Sequence, residues 1–263
     1  MKKKISITIN EKTLGDIDGI VDNIYIRNRS QAIEYLVNNS LGENKTAVIL
    51  SGGSENNLKI GANEYRITAK LNHETVIEKA IKKLRENNFK TIYIIARHNI
   101  LTSVFNIVKE GSAYGVKINY IEEKESKGTA QSLKLVKGLV KSNFIIIFGD
   151  IVFDKINIEE LWNTHIKMNG IATLMLTTSP EPSRKGVVKI EGNKILNFEQ
   201  KPEKSDIYLG FSSIFITSPE IFEYPGNSLE ENIFPKLAET GLLYGHLSSE
   251  KERHIHTRED IKQ

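Results

Sequence analysis

The sequence predicts an α/β protein in two parts, a small N-terminal segment at residues 1–43 and a larger three-layer α/β domain at residues 46–263. Three observations predict this organisation. Alternating isoleucines near the N-terminus precede two amphipathic helical patterns. From residue 46 onward, short apolar runs alternate with helical patterns, as is typical of α/β domains. The run at 144–148 is apolar on both faces, as expected of a central strand covered on both sides.

Residues 4–9 predict a β-strand with one apolar and one polar face, because side chains alternate along a strand. The apolar face consists of Ile5, Ile7 and Ile9. The polar face consists of Lys4, Ser6 and Thr8. A single strand cannot pair its own backbone groups, so this strand needs a partner.

Two helices are predicted after this strand. Residues 11–24 carry an apolar stripe at helical spacing, and the second helix is predicted from an N-cap at Ser30 to a stop at Gly42. The stripe of the first helix consists of Leu14, Ile17, Val21 and Ile24. A unit of about forty residues is too small to bury its own core, so we expect two chains to pair as a homodimer.

Residues 2–42 resemble the ribbon-helix-helix repressors, in which a sequence such as Asn28-Arg29-Ser30 opens the second helix. The resemblance implies that two chains insert a two-stranded ribbon into the major groove of double-stranded DNA. The implied DNA-contacting residues are Lys4, Ser6, Thr8, Asn28, Arg29 and Ser30. The N-terminus of the second helix would hold a phosphate, because its free N–H groups favour anions. The alternative is an amphipathic arm that only joins two chains.

Two candidate ligand sites follow predicted strands of the larger domain. Open α/β sheets bind ligands beyond the carboxyl ends of their strands. A glycine pair at Gly52-Gly53 lets backbone N–H groups approach a phosphate, and Asp150 is an oxygen ligand suited to Mg²⁺ on a nucleotide. Taken singly, the glycines are equally explained by a tight turn and Asp150 by a helix cap.

Four short motifs occur in a telling order, namely L-S-G-G at 50–53, G-T-A at 128–130, F-G-D at 148–150 and Q-K-P at 200–202. This order resembles the sugar-1-phosphate nucleotidyltransferases over residues 46–260, which implies a Rossmann-like domain with a mixed sheet. The implied nucleotide-binding residues are Ser51, Gly52, Gly53, Glu123, Gly128, Thr129 and Asp150. The implied sugar-binding residues are Gln200 and Lys201, and the implied catalytic residues are Arg66, Asp150 and Lys201. A bound nucleotide would bring Mg²⁺ or Mn²⁺, held by Asp150 and His254.

The sequence departs from the family's catalytic pattern at three positions. The family's first loop reads G-G-x-G-T-R-L, and here Glu55 replaces the third glycine and Asn57 replaces the arginine. Near the end, His254 replaces the second metal-binding aspartate, and a His/Asp pair suits Mn²⁺ or Zn²⁺ better than Mg²⁺. His254 and His256 share a strand face, but two such histidines are more often surface residues. A carboxylate in a phosphate-binding loop repels its ligand, so the departures predict impaired phosphoryl chemistry.

Composition adds limits but no function. The 263 residues include no cysteine, which excludes disulfides and thiolate metal sites. No apolar run is long enough to span a bilayer, and no signal peptide follows the N-terminal lysines, so we expect a cytoplasmic protein without a membrane partner. The net charge of +3 is too small to indicate DNA binding by itself.

Three functions are consistent with these patterns. The leading prediction is a sequence-specific DNA-binding regulator whose larger domain binds a nucleotide or nucleotide sugar with little or no catalysis. The alternative is an active sugar-1-phosphate nucleotidyltransferase whose N-terminal segment only dimerises. A third reading is an architectural chromatin protein with an inert larger domain.

Overall fold

The computed structural model describes residues 4–41, 45–61 and 64–262 of the chain. These residues form two compact units, Met1–Asn44 and Lys45–Gln263. In the described part of the chain, no helix is both long and apolar enough to cross a membrane.

The first unit contains two helices, α1 (Glu11–Gly19) and α2 (Arg29–Leu41). Helix α1 ends earlier than the predicted residue 24, and its N-cap is Asn10, whose side chain accepts from the N–H of Thr13 at 2.8 Å. Between the helices, the Asp22 carboxylate accepts three backbone N–H groups and closes a turn.

The strand predicted at 4–9 is not present in this chain. Residues 4–10 have no regular secondary structure, and Ile5 and Ile7 are 76% and 52% exposed. An isolated strand leaves its backbone N–H and C=O groups without hydrogen bonds, so this segment does not form a strand in a single chain. The expected separation of isoleucines from Lys4, Ser6 and Thr8 on opposite faces is therefore not observed, and the pairing of two chains through this segment stays a prediction.

The second unit is built on a nine-stranded mixed sheet with the order β10-β14-β12-β11-β13-β8-β1-β6-β7. Its strands are β1 (Lys45–Ser51), β6 (Phe89–Ala96), β7 (Lys117–Glu122), β8 (Phe144–Phe148), β10 (Ala172–Thr178), β11 (Gly186–Glu191), β12 (Lys194–Gln200), β13 (Leu209–Thr217) and β14 (Leu243–Leu247). Short strand pairs outside this sheet are formed by β2 (Lys59–Gly61) with β3 (Glu64–Tyr65), β4 (Lys70–Leu71) with β5 (Glu74–Thr75), and β9 (Ile151–Val152) with β15 (Arg253–His254). Strands β11 and β12 form an antiparallel hairpin.

Helices cover both faces of the sheet. They are α3 (Glu55–Leu58), α4 (Val76–Glu86), α5 (His98–Val108), α6 (Thr129–Lys134), α7 (Ile158–Met168) and α8 (Phe234–Glu239). Alternate residues of β1 show why two cores form, since Ile49 packs with α4, α5 and α7 whereas Val48 packs with α6 and α8. Strand β8 alternates in the same way, with Ile145 on the first face and Ile146 on the second. The three-layer α/β class predicted from the sequence is thus confirmed.

The direction of the central strands positions the candidate site. Strand β1 runs parallel to β6 on one side and to β8 on the other. Their carboxyl ends therefore meet at one edge of the sheet, at Ser51, Ala96 and Phe148. The glycine loop after β1, the segment after β6 and the Gly149-Asp150 turn all start from this edge.

Candidate active site

The glycine loop after β1 is shaped by close packing. A Cβ on Gly52 would lie 2.5 Å from the carboxylate of Glu123, and Gly53 has a φ of +118°, a conformation that residues with side chains rarely adopt. The Gly53 N–H donates to Oε2 of Glu123 at 2.8 Å. The loop is thus held close to a carboxylate by contacts that only glycine permits.

The buried side chain of Glu123 holds this loop in place. It is 2% exposed, and its own N–H donates to the Ala96 carbonyl at 2.9 Å, which fixes it beyond the end of β6. The hydroxyl of Ser132 on α6 donates to its Oε1. The sequence placed Glu123 near a base-reading position, whereas its contacts connect the glycine loop to α6.

Gly128 and Thr129 form the opposite wall. Gly128 has φ +110° and ψ 163°, and a Cβ there would lie 2.4 Å from the Asn227 carbonyl oxygen. The Thr129 hydroxyl accepts from the Leu229 N–H at 2.9 Å and donates to Glu230 at 2.6 Å. Between this wall and the glycine loop lies a cavity of about 140 Å³, whose lining includes the ring of Phe148. The structure therefore brings the two predicted nucleotide-binding motifs to one cavity.

Glu55 does not stand as an uncompensated charge beside the loop. It begins α3, and its carboxylate accepts from the Tyr65 hydroxyl at 2.8 Å and from the Asn99 amide at 3.1 Å. Lys59 forms an ion pair with it at 3.1 Å. The hydrogen bond from Tyr65, followed by those from Lys59 and Asn99, lowers the pKa of Glu55 below its ordinary value. The sequence predicted that the Glu55 carboxylate repels phosphate. Three neighbouring groups already bind this carboxylate, and the positive charge of Lys59 offsets its negative charge.

Arg97 is a cation at the loop that the sequence prediction missed. It follows β6 directly and lines a polar cavity of about 480 Å³ together with the loop residues at 53–56, which include Glu55. Its guanidinium donates to the Lys124 carbonyl, which holds it by one end. The available signal was its position immediately after a predicted buried strand. Arg97 brings to this loop the kind of charge that Asn57 lacks.

Asp150 is brought beside the glycine loop by the pairing of β8 with β1. The Gly149 N–H donates to the Leu50 carbonyl at 2.7 Å, and a Cβ on Gly149 would lie 2.8 Å from that of Ser51. The Arg66 guanidinium forms a 3.2 Å ion pair with Oδ2 of Asp150. Two residues predicted for catalysis therefore meet next to the predicted phosphate-binding loop.

His254 and His256 also lie at Asp150. Strand β15 pairs with β9, and the Ile255 N–H donates to the Asp150 carbonyl at 2.8 Å. Asp150, His254 and His256 each offer a ligand atom within 4.8 Å of the other two. The sequence predicted Asp150 with His254 and favoured a surface role for the histidine pair. Two imidazoles and one carboxylate do not fit the all-oxygen octahedron that Mg²⁺ prefers.

The predicted sugar-binding residues lie farther along the sheet. Gln200 ends β12, which is separated from β8 by β11 and β13. The Gln200 Oε1 atom is buried and has no hydrogen-bond partner among the described residues. Lys201 is exposed, with a φ of +46°, and its N–H donates to the Lys185 carbonyl at 3.0 Å.

The residues predicted to contact DNA have other roles in the first unit. The Asn28 side chain accepts from the Gln31 N–H at 2.9 Å and so caps α2. The Arg29 guanidinium pairs with Asp18 through two contacts of 2.5 and 2.8 Å, which offsets the charge expected to face a phosphate. Ser30 lies inside α2 as an exposed residue.

Comparison with known proteins decides the family. Residues 46–245 match the family model described as nucleotidyl transferase. The chain belongs to the nucleotidyl transferase family. A mannose-1-phosphate guanylyltransferase catalytic subunit beta from Dictyostelium discoideum is 34% identical over 140 residues, which cover 49% of this chain and 38% of that protein. Mannose-1-phosphate guanyltransferase 2 from Candida glabrata is 29% identical over 173 residues, which cover 62% and 48%.

A solved structure shows the fold of this nucleotidyl transferase family member. The chain aligns with a putative glucose-1-phosphate thymidylyltransferase from Bacillus anthracis, in complex with a sucrose, with a TM-score of 0.75 and 21% identity. The alignment covers 83% of this chain and 92% of the other. The matched part of the chain spans less than half the length of the two curated relatives named above.

These comparisons correct the leading prediction. The family and its named curated relatives are transferases, and they contradict a DNA-binding regulator with an impaired larger domain. The Arg29–Asp18 ion pair agrees with that correction.

Proposed function

We propose that this protein is a sugar-1-phosphate nucleotidyltransferase. In this reaction a phosphate oxygen of the sugar 1-phosphate attacks the α-phosphorus of a nucleoside triphosphate. The bond from the α-phosphorus to the bridging oxygen of the β-phosphate breaks, so the products are a nucleotide sugar and pyrophosphate. The observation that carries this proposal is the meeting of the glycine loop with Gly149-Asp150 at one sheet edge, fixed by the 2.7 Å bond from Gly149 to Leu50.

The nucleoside is assigned to the cavity between the glycine loop and Gly128-Thr129. This cavity combines the apolar surfaces of Leu50 and Phe148 with backbone and hydroxyl groups, the mixture that small-ligand sites use. Its walls are fixed by internal hydrogen bonds, from Gly53 to Glu123 and from Leu229 to Thr129. A prearranged cavity of this kind binds with little further ordering.

The triphosphate is assigned to the adjoining polar cavity. The loop residues Gly53 and Ser54 line it, and Arg97 supplies a guanidinium, which forms paired hydrogen bonds with phosphate oxygens. Arg66 pairs with Asp150, which follows strand β8 at the same edge of the sheet. The two arginines thus provide positive charge where negative charge develops on the departing pyrophosphate.

The sugar phosphate is assigned to the end of β12. The Oε1 atom of Gln200 is a buried acceptor without a hydrogen-bond partner among the described residues, and a rotation of this side chain would let a sugar hydroxyl donate to it. The exposed ammonium of Lys201 supplies charge for the phosphate. Because two curated relatives act on mannose 1-phosphate by name, mannose 1-phosphate with GTP is the first substrate pair to test.

The experiment is a substrate screen followed by phosphorus NMR. The full chain is incubated with mannose 1-phosphate or glucose 1-phosphate and each of GTP, dTTP, UTP, ATP and CTP, in buffers with Mg²⁺ or Mn²⁺. The proposal predicts a nucleotide sugar and an equal amount of pyrophosphate for at least one pair. Nucleoside diphosphate with free phosphate, or no product from any pair, would contradict it.

A further inference from the structure

The residues at the end of the chain's last short strand form a cluster with Asp150. Strand β15 extends antiparallel to β9, so His254 and His256 lie on one face while Ile255, between them, is fully buried. The two imidazole rings are stacked, with centroids 5.4 Å apart and planes 5° from parallel. Nδ1 of His256 lies 3.9 Å from Oδ2 of Asp150.

We propose that Asp150, His254 and His256 bind a divalent transition-metal ion in preference to Mg²⁺. Imidazole nitrogen is a strong ligand for Zn²⁺ and Co²⁺ and is also accepted by Mn²⁺, whereas Mg²⁺ requires oxygen ligands in a regular octahedron. The three ligand atoms already lie within 4.8 Å of one another, so small side-chain rotations bring them onto one ion. Two imidazoles and one carboxylate leave coordination positions for water or a phosphate oxygen.

Glu252 is the positioning residue for His254. Its side chain is completely buried, and it accepts from Nε2 of His254 at 3.1 Å. The ammonium of Lys185 pairs with the same carboxylate oxygen, which keeps the carboxylate in place. A hydrogen bond from one ring nitrogen to a carboxylate fixes the tautomer and leaves the lone pair on the other nitrogen, Nδ1. Metal-binding histidines are oriented in the same manner in other proteins.

Arg66 opposes the metal. Its guanidinium lies 3.2 Å from Oδ2 of Asp150, so a cation at the cluster is repelled by the guanidinium and competes with it for the carboxylate. Among the described residues, the Arg66 guanidinium forms a hydrogen bond with Asp150 and with neither imidazole, so its direct competition with a metal concerns the carboxylate. An ion that gains from two imidazoles therefore binds, whereas an ion that depends on the single carboxylate binds poorly.

The test measures metal binding to the full chain without nucleotide or sugar. Titration calorimetry with Mn²⁺, Co²⁺, Zn²⁺ and Mg²⁺ is expected to give dissociation constants for the transition metals that are lower than that for Mg²⁺ by about tenfold or more. Co²⁺ is expected to develop visible absorption bands of nitrogen coordination. Equal affinity for Mg²⁺ and Mn²⁺, or Co²⁺ bands unchanged from those of the aqueous ion, would overturn the proposal.

Variants identify the ligands. His256→Ala removes a ligand whose side chain is 52% exposed, so the fold is expected to persist while Mn²⁺ affinity falls by about tenfold or more. Glu252→Gln is expected to weaken Mn²⁺ binding by about 10–100-fold, the range for groups that orient a metal ligand. His98→Ala, at an exposed histidine 3.8 Å from Glu122, is the matched control and should leave affinity unchanged. Unchanged affinity in His256→Ala, or equal losses in His98→Ala, would contradict the assignment.

A role of this metal ion in nucleotidyl transfer would rest on the proposed function. The binding of the metal ion does not. Metal bound through both histidines, without nucleotide sugar formed from any pair, would end the proposed function alone. Nucleotide sugar formed from at least one pair, together with equal affinity of the chain for Mg²⁺ and Mn²⁺, would end the metal proposal alone.

Discussion

The backbone N–H of Gly53 donates a 2.8 Å hydrogen bond to the buried carboxylate of Glu123, seventy residues farther along the chain. The other oxygen of that carboxylate accepts from Ser132 on α6. One side chain therefore fixes the glycine loop relative to the helix that follows Gly128. The cavity proposed for the nucleoside depends on this link, because the loop and the start of that helix form its two walls.

Replacing Glu123 tests whether this link orders the loop. Glu123→Ala leaves the Gly53 N–H and the Ser132 hydroxyl without their acceptor, which is expected to lower the free energy of unfolding by about 2 kcal/mol and to raise the KM for nucleoside triphosphate by about tenfold. Glu123→Gln keeps an oxygen acceptor for the Gly53 N–H, so its free energy of unfolding should fall much less and its KM should rise much less. Chemical denaturation and steady-state kinetics measure both. Equal KM values in wild type and Glu123→Ala would mean that the loop does not depend on the carboxylate.

Gly128 and Gly138 form a matched pair of glycines with positive φ. Gly128→Ala places a Cβ 2.4 Å from the Asn227 carbonyl oxygen in a conformation that is essentially restricted to glycine, so a loss of about 3 kcal/mol in unfolding free energy is expected. Gly138→Ala meets no atom within 4 Å at a φ of +83°, and about 1 kcal/mol is expected from backbone strain alone. Thermal and denaturant unfolding compare the two. A smaller loss for Gly128→Ala than for Gly138→Ala contradicts the packing described at Asn227.

Arg97 is expected to bind the triphosphate. Arg97→Ala should lower kcat/KM for nucleoside triphosphate by about 100-fold, since a group that stabilises developing phosphate charge contributes roughly 3 kcal/mol. Arg97→Lys retains the positive charge but not the planar guanidinium, so its kcat/KM should lie between those of wild type and Arg97→Ala. Arg85→Ala, at an arginine in contact with Gly115, is the control. If the two alanine variants have the same kinetics, Arg97 is not part of the site.

His165 makes stability sensitive to acid. Burial lowers its pKa from 6.5 to about 4 in the folded chain, where Nδ1 lies 3.0 Å from the Thr173 hydroxyl. The unfolded chain binds the proton near pH 6.5 and the folded chain only near pH 4, so this contribution is complete above pH 6.5 and is lost as the pH falls toward 4. The loss over that window is about 3 kcal/mol.

His165→Gln is expected to remove this part of the pH dependence while retaining a hydrogen bond to Thr173. Urea unfolding of both proteins at pH 7, 5.5 and 4 measures the difference. The wild type should lose more stability than the variant on acidification, and parallel pH profiles would show that folding does not lower the pKa of His165.

Local patterns predicted much of the larger domain. Helix α7 has regular apolar spacing, and Asn157 caps it. Helix α4 also carries a local signal, because Thr75 and Glu78 form a reciprocal capping box. These elements are specified by neighbouring residues, so the sequence alone indicates them.

Contacts between distant residues limited the prediction of the site. His254 and His256 lie beside Asp150 because β15 pairs with β9, which precedes it by about a hundred residues in the sequence. A strand of two residues has no recognisable sequence pattern. The acceptors and donors around Glu55 come from Tyr65 and Asn99, which follow it by 10 and 44 residues. At Ile5 and Ile7 a local pattern predicted a strand that the single chain does not form. A strand needs a partner for its backbone hydrogen bonds, and both isoleucines are exposed.

Pyrophosphate release under steady-state conditions tests the central claim most directly. The assay compares wild type with Asp150→Asn, which keeps the size of the side chain at the sheet edge but removes its charge. With the substrate pair found in the screen, the account predicts sugar-1-phosphate-dependent pyrophosphate release by wild type and a reduction of about 100-fold or more in Asp150→Asn. Release that does not require sugar 1-phosphate, or that is equal in the two proteins, would contradict the account.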